Sequence, residues 1–140
     1  MKGSGFRILD HPADLGIEAY GKTVAEAFEQ AALGLVSIIV DASSVEAREC
    51  REVTLRGSDR EQLLVRWLQE ILYLYDGEHF IGGRFQISQL EPGWLQALVY
   101  GEPFDPKHHQ TRLDVKAVTY HQLKVLEGTG NSSVRVFLDI

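Results

Sequence analysis

Apolar positions recur along this chain with two periods, and the changes from one to the other mark its elements. Gly5 to Leu9 and Ile17 to Tyr20 read as short strands either side of a polar turn. From Thr23 the spacing becomes helical. Phe28, Ala31, Ala32, Leu35, Val36 and Ile39 fall on one stripe, opposed by Glu29, Gln30 and Ser37. Thr23-Val24-Ala25-Glu26 supplies a capping box at its start, and the β-branched end Ile38-Ile39-Val40, followed by Asp41-Ala42-Ser43-Ser44, stops it. Glu49 to Arg56 alternates as a half-exposed strand does. Ser58-Asp59-Arg60-Glu61 repeats the capping-box logic before a broader stripe of Leu63, Leu64, Trp67, Leu68, Ile71, Leu72 and Tyr75. A stripe that broad belongs in a core, and Trp67 within it reads as a packing residue.

The period of two then returns. Arg84 to Leu90 and Trp94 to Tyr100, joined by Glu91-Pro92-Gly93, predict an antiparallel pair. Gly82-Gly83 lacks the flanking residues of a phosphate loop and is assigned to backbone freedom. A loop from Gly101 to Gln110 carries two prolines and the adjacent His108 and His109. Two long strands, Leu113 to Leu126 and Ser133 to Ile140, flank the turn Glu127 to Ser132 as a hairpin. Parity puts Val134, Val136, Leu138 and Ile140 on one face of the last strand, and Arg135, Phe137 and Asp139 on the other. The order predicts an α+β fold: two helices packed against a largely antiparallel β-sheet, in a single compact domain spanning residues 1–140.

Composition narrows the function. A chain of 140 residues is long enough for one core without a staple. The net charge of −6 and the scatter of its 14 Lys and Arg argue against direct binding of nucleic acid, whose phosphates are held by clustered cations. Cys50 has no second cysteine to pair with and reads as an ordinary thiol in a reducing compartment. No run of 18 apolar residues exists, and the start shows no signal peptide. The expectation is a soluble, acidic, cytoplasmic domain with no membrane contact.

The candidate chemistry begins in the first turn, where Asp10, His11 and Asp14 crowd into five positions. Carboxylates held together repel, and either a cation or a set of hydrogen-bond donors offsets the cost. A metal-ligating turn and a proline-containing loop whose Asp side chains cap backbone N–H groups both answer to this pattern. Asp41 follows a helix C-terminus, where the macrodipole disfavours negative charge, so it gives a second hint of a cation beside the alternative of a solvated loop carboxylate. His108 and His109 are adjacent, and neighbours on an extended chain point to opposite sides. With one cysteine and no histidine pair four apart on a helix, a zinc centre is not expected. Lys116 shares a strand face with Val118 and Tyr120, and its pairing with Asp139 is left open by the undetermined hairpin register.

Taken together, these segments closely resemble the archease family. They are His11-x-Ala13-Asp14-x-Gly16, the helix with Ala25, Phe28, Ala31 and Ala32, Leu63-Leu64 with Trp67-Leu68, Gly101-Glu102, Val115-Lys116-Ala117-Val118-Thr119-Tyr120, and Leu138-Asp139-Ile140. The resemblance covers essentially the whole chain in order. One departure is Pro12, where the family more often has Thr. The resemblance implies an accessory protein and not an enzyme: an activator of the GTP-dependent RNA ligase that seals ends carrying a 2′,3′-cyclic phosphate or 3′-phosphate in tRNA splicing and RNA repair. It implies that the activator promotes guanylylation and multiple turnover of the ligase, with RNA contacted through that partner. It also implies a divalent-metal site on Asp14, Asp41 and Asp139, with the terminal carboxylate of Ile140 nearby, and a functional lysine at Lys116. Asp10 and His11 are left to shape the turn. Three carboxylates without thiolate are hard oxygen donors and suit Ca²⁺ better than Mg²⁺, because calcium accepts more oxygens at looser angles. A metal-dependent phosphoesterase is a second reading, with His11 as the one credible base near the site. A general protein chaperone is a third, and it requires a large exposed apolar surface.

Overall fold

The computed structural model describes residues 3–10 and 14–140. Its elements run β1 (Gly5–Asp10), β2 (Leu15–Gly21), α1 (Val24–Ile39), β3 (Glu49–Arg56), α2 (Arg60–Glu78), β4 (Phe80–Glu91), β5 (Trp94–Pro103), β6 (Ala117–Val118), β7 (Lys124–Leu126) and β8 (Ser132–Asp139). The fold is α+β, with two helices as the spacing predicts. The strands divide into two sheets: a larger one in the order β1-β2-β8-β6, with β7 also on β8, and a smaller one in the order β3-β5-β4. Every strand pairing among the described residues is antiparallel.

Both helices start where the caps dictate. Thr23 Oγ1 accepts the Glu26 N–H at 3.1 Å, and the Glu26 carboxylate reaches back to the Lys22 N–H at 2.9 Å. At α2 the box sits one residue later than the sequence suggests. Asp59 accepts from the Gln62 N–H at 2.8 Å and Gln62 accepts from the Ser58 N–H at 2.7 Å, so Asp59 and Gln62 take the roles given to Ser58 and Glu61. Either residue at 58 or 59 caps well, and one position decides the phase of the helix.

The helices meet the sheets through one continuous core. α1 lies on β1, β2 and β8 and also against β4, while α2 lies on β3, β4, β6 and β7. Trp67 is fully buried, with its indole N–H donated to the Phe28 carbonyl at 3.0 Å and its ring edge-on to Phe85. That bond satisfies the one polar atom of the largest buried side chain and ties α2 to α1. No described helix is long and apolar enough to cross a membrane.

The run of α1 fixes which ends of the fold come together. A Cβ on Gly21 would meet Glu26 and Ala27, and one on Gly34 would lie 2.9 Å from Ile17 Cγ2. The helix therefore starts over the end of β2 and runs back along it, and Gly34 is where the helix packs on the Ile17 and Phe6 side chains too closely to carry one of its own. Its C-terminus emerges beyond Ile17, at the end of the sheet where β2 begins.

The segment 113–126 is not one long strand. Only β6 and β7 pair with β8, and the register between them slips by three residues, from Ala117↔Asp139 to Lys124↔Arg135. Thr119 causes the break. Its backbone N–H and its Oγ1 both bond the Phe137 carbonyl, its Oγ1 takes the His121 N–H, and Gln122 turns the chain with a φ of 50°. The hairpin with β8 survives this bulge because Leu126 still pairs with Ser133.

Candidate functional site

Two groups of titratable side chains stand out, and the segment expected as a loop from Gly101 begins inside β5, which runs on to Pro103 because Gly101 and Glu102 keep pairing with Gly82 and Ile81. The first is the acidic end of the larger sheet. Leu15 pairs with Leu138, so the next step of the same register sets Asp14 beside Asp139. Ala117 pairs with Asp139, and the Lys116 N–H donates to the Asp139 carbonyl at 2.8 Å, which puts Lys116 beside Ile140. The Lys116–Asp139 relation is therefore a backbone bond and not a cross-strand pair of side chains. Asp139 and Lys116 are exposed, Ile140 is just over one-third exposed, and Asp14 is half-buried. Asp41 lies just past the C-terminus of α1, the helix that runs back along β2. Asp10 closes the mouth of the β1–β2 turn opposite Leu15 and is exposed. His11 lies outside the described residues, so its place in the turn is not described.

Asp41 answers its position after a helix with the chain's own donors. It caps a 3-10 turn, Ala42–Ser44, accepting from the Ser43 hydroxyl at 2.7 Å and the Ser43 N–H at 3.1 Å. Arg112 stands 3.9 Å away. The two Ser43 bonds hold the Asp41 carboxyl below its ordinary range; slight burial opposes them and the Arg112 charge adds the smallest part. Asp41 is thus ionised and partly compensated without any added ion.

The second group is Glu102, His108 and His109, whose ligand atoms all lie within 4.8 Å of one another. That spacing occurs for this set among the described residues and not for the three aspartates. The two histidines converge because the chain is not extended there. The N–H groups of His108 and His109 both bond the Asp105 carbonyl, at 2.9 and 2.7 Å, and this turn brings the rings to 4.9 Å. They border a cleft of about 480 Å³ with Glu46, Arg48, Pro103 and Asp105.

Burial makes the hydrogen bonds of this set decisive. His109 is 1% exposed and Glu102 4%. His109 Nδ1 accepts the Asp105 N–H at 2.9 Å, so it carries a lone pair, and the ring proton sits on Nε2 and is donated to Glu102 Oε2 at 2.7 Å. Glu102 Oε2 also accepts the Glu46 N–H at 3.0 Å, and Arg48 stands 3.8 Å from Oε1. Burial alone pushes the Glu102 carboxyl up, but the Glu46 and His109 donors and the Arg48 charge outweigh it and leave it below its ordinary range. His108 Nε2 donates to the Ser44 carbonyl at 3.1 Å. A metal on His109 Nε2 would displace the proton bonded to Glu102 and turn Nδ1 into a donor facing another donor. The same arrangement leaves no ring nitrogen of His109 for use as a general base. The Glu102–His109 pair is closed by protons, and it holds a loop in place.

Sequence reasoning passes over Glu102 and His109 as a pair. The signal available is Asp105 between Pro103 and Pro106, a turn former placed to curl the loop and bring both rings to one side.

Comparison with known proteins agrees with this fold. Residues 6–140 match the model of the Archease protein family (MTH1598/TM1083). Protein archease of Sulfurisphaera tokodaii is 41% identical over 134 residues, covering 95% of this chain and 96% of that protein. Protein archease of Methanosarcina mazei is 38% identical over 143 residues, covering 99% and 98%. The solution structure of Methanobacterium thermoautotrophicum protein 1598 superposes with a TM-score of 0.81 at 37% identity, covering 97% of this chain and 99% of that one. A crystal structure of an archease from Thermotoga maritima, described as a possible chaperone, gives a TM-score of 0.63 at 18% identity over 96% of each chain, a likeness of fold alone.

Proposed function

The chain belongs to the archease family, and on that premise we propose that it is an accessory protein that activates a GTP-dependent RNA ligase and is not itself a catalyst. In this reading it promotes guanylylation and repeated turnover of a cytoplasmic ligase that joins 2′,3′-cyclic phosphate or 3′-phosphate ends in tRNA splicing or RNA repair. It contacts RNA through the ligase, as its net negative charge requires.

The observation that supports the reading is the β2–β8 register, whose next step sets Asp14 beside Asp139, and we assign Asp41, from just past the end of α1, to the same site. Their donors are all hard oxygens, which fits Ca²⁺ in preference to Mg²⁺, since ligands carried on three separate element ends suit the looser calcium geometry. Asp14, Asp41 and Asp139, with Ile140 beside them, would hold the cation, and a bound cation would supply a fixed positive centre among these carboxylates. Lys116, exposed on the flank of the same end, is the residue we assign to contact with the partner.

The test is a multiple-turnover ligation assay with the cognate ligase, in the presence and absence of the protein. We expect repeated turnover with the protein and little beyond a single round without it. Equal turnover in both arms would remove the proposal.

A further inference from the structure

The end of β5 and the loop after it, 101–111, grip the segment that carries Asp41. The Asp41 N–H donates to the Gln110 carbonyl at 2.9 Å, Val40 bridges to Thr111, and the Arg48 N–H donates to the Gly101 carbonyl at 2.9 Å. Between these backbone ties, two side chains hold the turn itself: His108 on the Ser44 carbonyl and Glu102 on the Glu46 N–H. Ser44 in turn bonds the Asp41 carbonyl through its N–H at 3.2 Å and its hydroxyl at 2.8 Å.

Glu102 can serve as that anchor only if its carboxylate is aimed. His109 aims it, and His109 is fixed on three sides: by the Asp105 N–H on Nδ1, by its own N–H on the Asp105 carbonyl, and by the Phe104 ring stacked at 5.6 Å. Phe104 is itself packed edge-on against Tyr75 of α2. A rigid path therefore runs from α2 through the buried pair to the turn that follows α1. We propose that Glu102 and His109 are a positioning pair for Asp41. They set the direction of its carboxylate from about five residues downstream, and so tune the cation affinity of the acidic end without touching the cation. The proposal rests on the reading of Asp41 as a cation ligand, but its mechanical half stands on the hydrogen bonds alone.

The experiment separates the two. Glu102→Ala removes the anchor, whereas Glu102→Gln keeps one acceptor oxygen for the Glu46 N–H and the His109 ring. The Ser43 amide, bonded to the Asp41 carboxylate, reports the turn by its NMR shift, and calorimetry with Ca²⁺ reports the acidic end. We expect Glu102→Ala to move the Ser43 amide and to weaken Ca²⁺ binding about tenfold, within the range found when groups behind metal ligands are removed. Glu102→Gln should bring both readouts close to those of the parent protein. An unmoved Ser43 amide in the folded Glu102→Ala protein overturns the proposal, as does equal displacement in Glu102→Gln. Asp41→Asn is the companion measurement. If it binds Ca²⁺ as the parent does, the cation reading of Asp41 fails, and the Ser43 amide still decides whether the pair positions the turn.

Discussion

The acidic end and the cleft beside it hold similar residue types, yet one is open and the other closed. At the end, Asp139 is exposed and Asp41 finds its partners in a single serine and a distant arginine. In the cleft, Glu102 accepts a backbone N–H and a ring N–H, and both nitrogens of His109 are in use. What separates them is the supply of donors, since Glu102 Oε2 already takes two N–H groups and both ring nitrogens of His109 are engaged. Spacing alone picks out the closed group, whose ligand atoms lie within 4.8 Å of one another.

If that contrast is right, substitutions in the two regions should damage different things. Asp139→Asn should abolish ligase activation in the turnover assay and leave the unfolding midpoint where it was, because Asp139 is an exposed strand end. Retained activation would break the functional half of the comparison, and a lost fold would break the structural half. His109→Ala should do the reverse first. It removes a buried ring, leaves a cavity beneath Phe104 and takes one donor from a buried carboxylate, so we expect a loss of about 3 kcal/mol in chemical denaturation. A change of less than about 0.5 kcal/mol, ordinary for surface positions, would mean that the cleft is not the brace described here.

Acid should read out the same difference more gently. The Glu102 carboxyl is lowered in the folded protein, so its contribution is fully present above the unfolded value, near pH 4.3, and is lost as the pH falls through the folded one. The stability gap between the parent and Glu102→Gln should therefore be widest at neutral pH and narrow below about pH 4.3. A gap that stays constant on acidification would show that the carboxylate charge contributes nothing there. Glu29 supplies the opposite sign. Burial raises its carboxyl despite the Ile87 N–H and is joined by the nearby Glu26 charge, so its ionisation costs stability as the pH rises.

Most of the elements can be read from the residues, and the exceptions share a cause. The two apolar stripes and the caps specify α1 and α2, and the turn Glu127 to Ser132 specifies a hairpin. Where the reading fails, a side chain competes with the ladder. Thr119 takes the Phe137 carbonyl twice and breaks a strand whose alternation at Lys116, Val118 and Tyr120 looks unbroken. The site divides in the same way. Asp14, Asp41 and Asp139 are nameable from the chain because a family resemblance points to them, but the place of Asp14 beside Asp139 depends on the β2–β8 register, and that of Asp41 on the direction of α1. Glu102 and His109 are not legible as a pair because their pairing depends on one carbonyl, that of Asp105, receiving two successive N–H groups. No periodicity encodes that curl.

Arg112 tests the comparison most finely, because its guanidinium stands 3.9 Å from the Asp41 carboxylate of the open group. Of the groups that lower the Asp41 carboxyl it adds least, behind both Ser43 bonds, and it is more than half exposed. Its guanidinium also bonds the Ser37 carbonyl at 3.3 Å, upstream of the turn that the Asp41, Ser43 and Ser44 bonds hold. Arg112→Gln should therefore leave the turn in place, remove one positive charge and tighten Ca²⁺ binding about twofold, the scale of an exposed ion pair. Arg112→Lys should leave the affinity unchanged. Because the pair is exposed, the difference between the two variants should fade as salt is raised. Weaker binding in Arg112→Gln would instead make Arg112 part of the scaffold that aims Asp41, and the open group would then be braced from both sides of the loop.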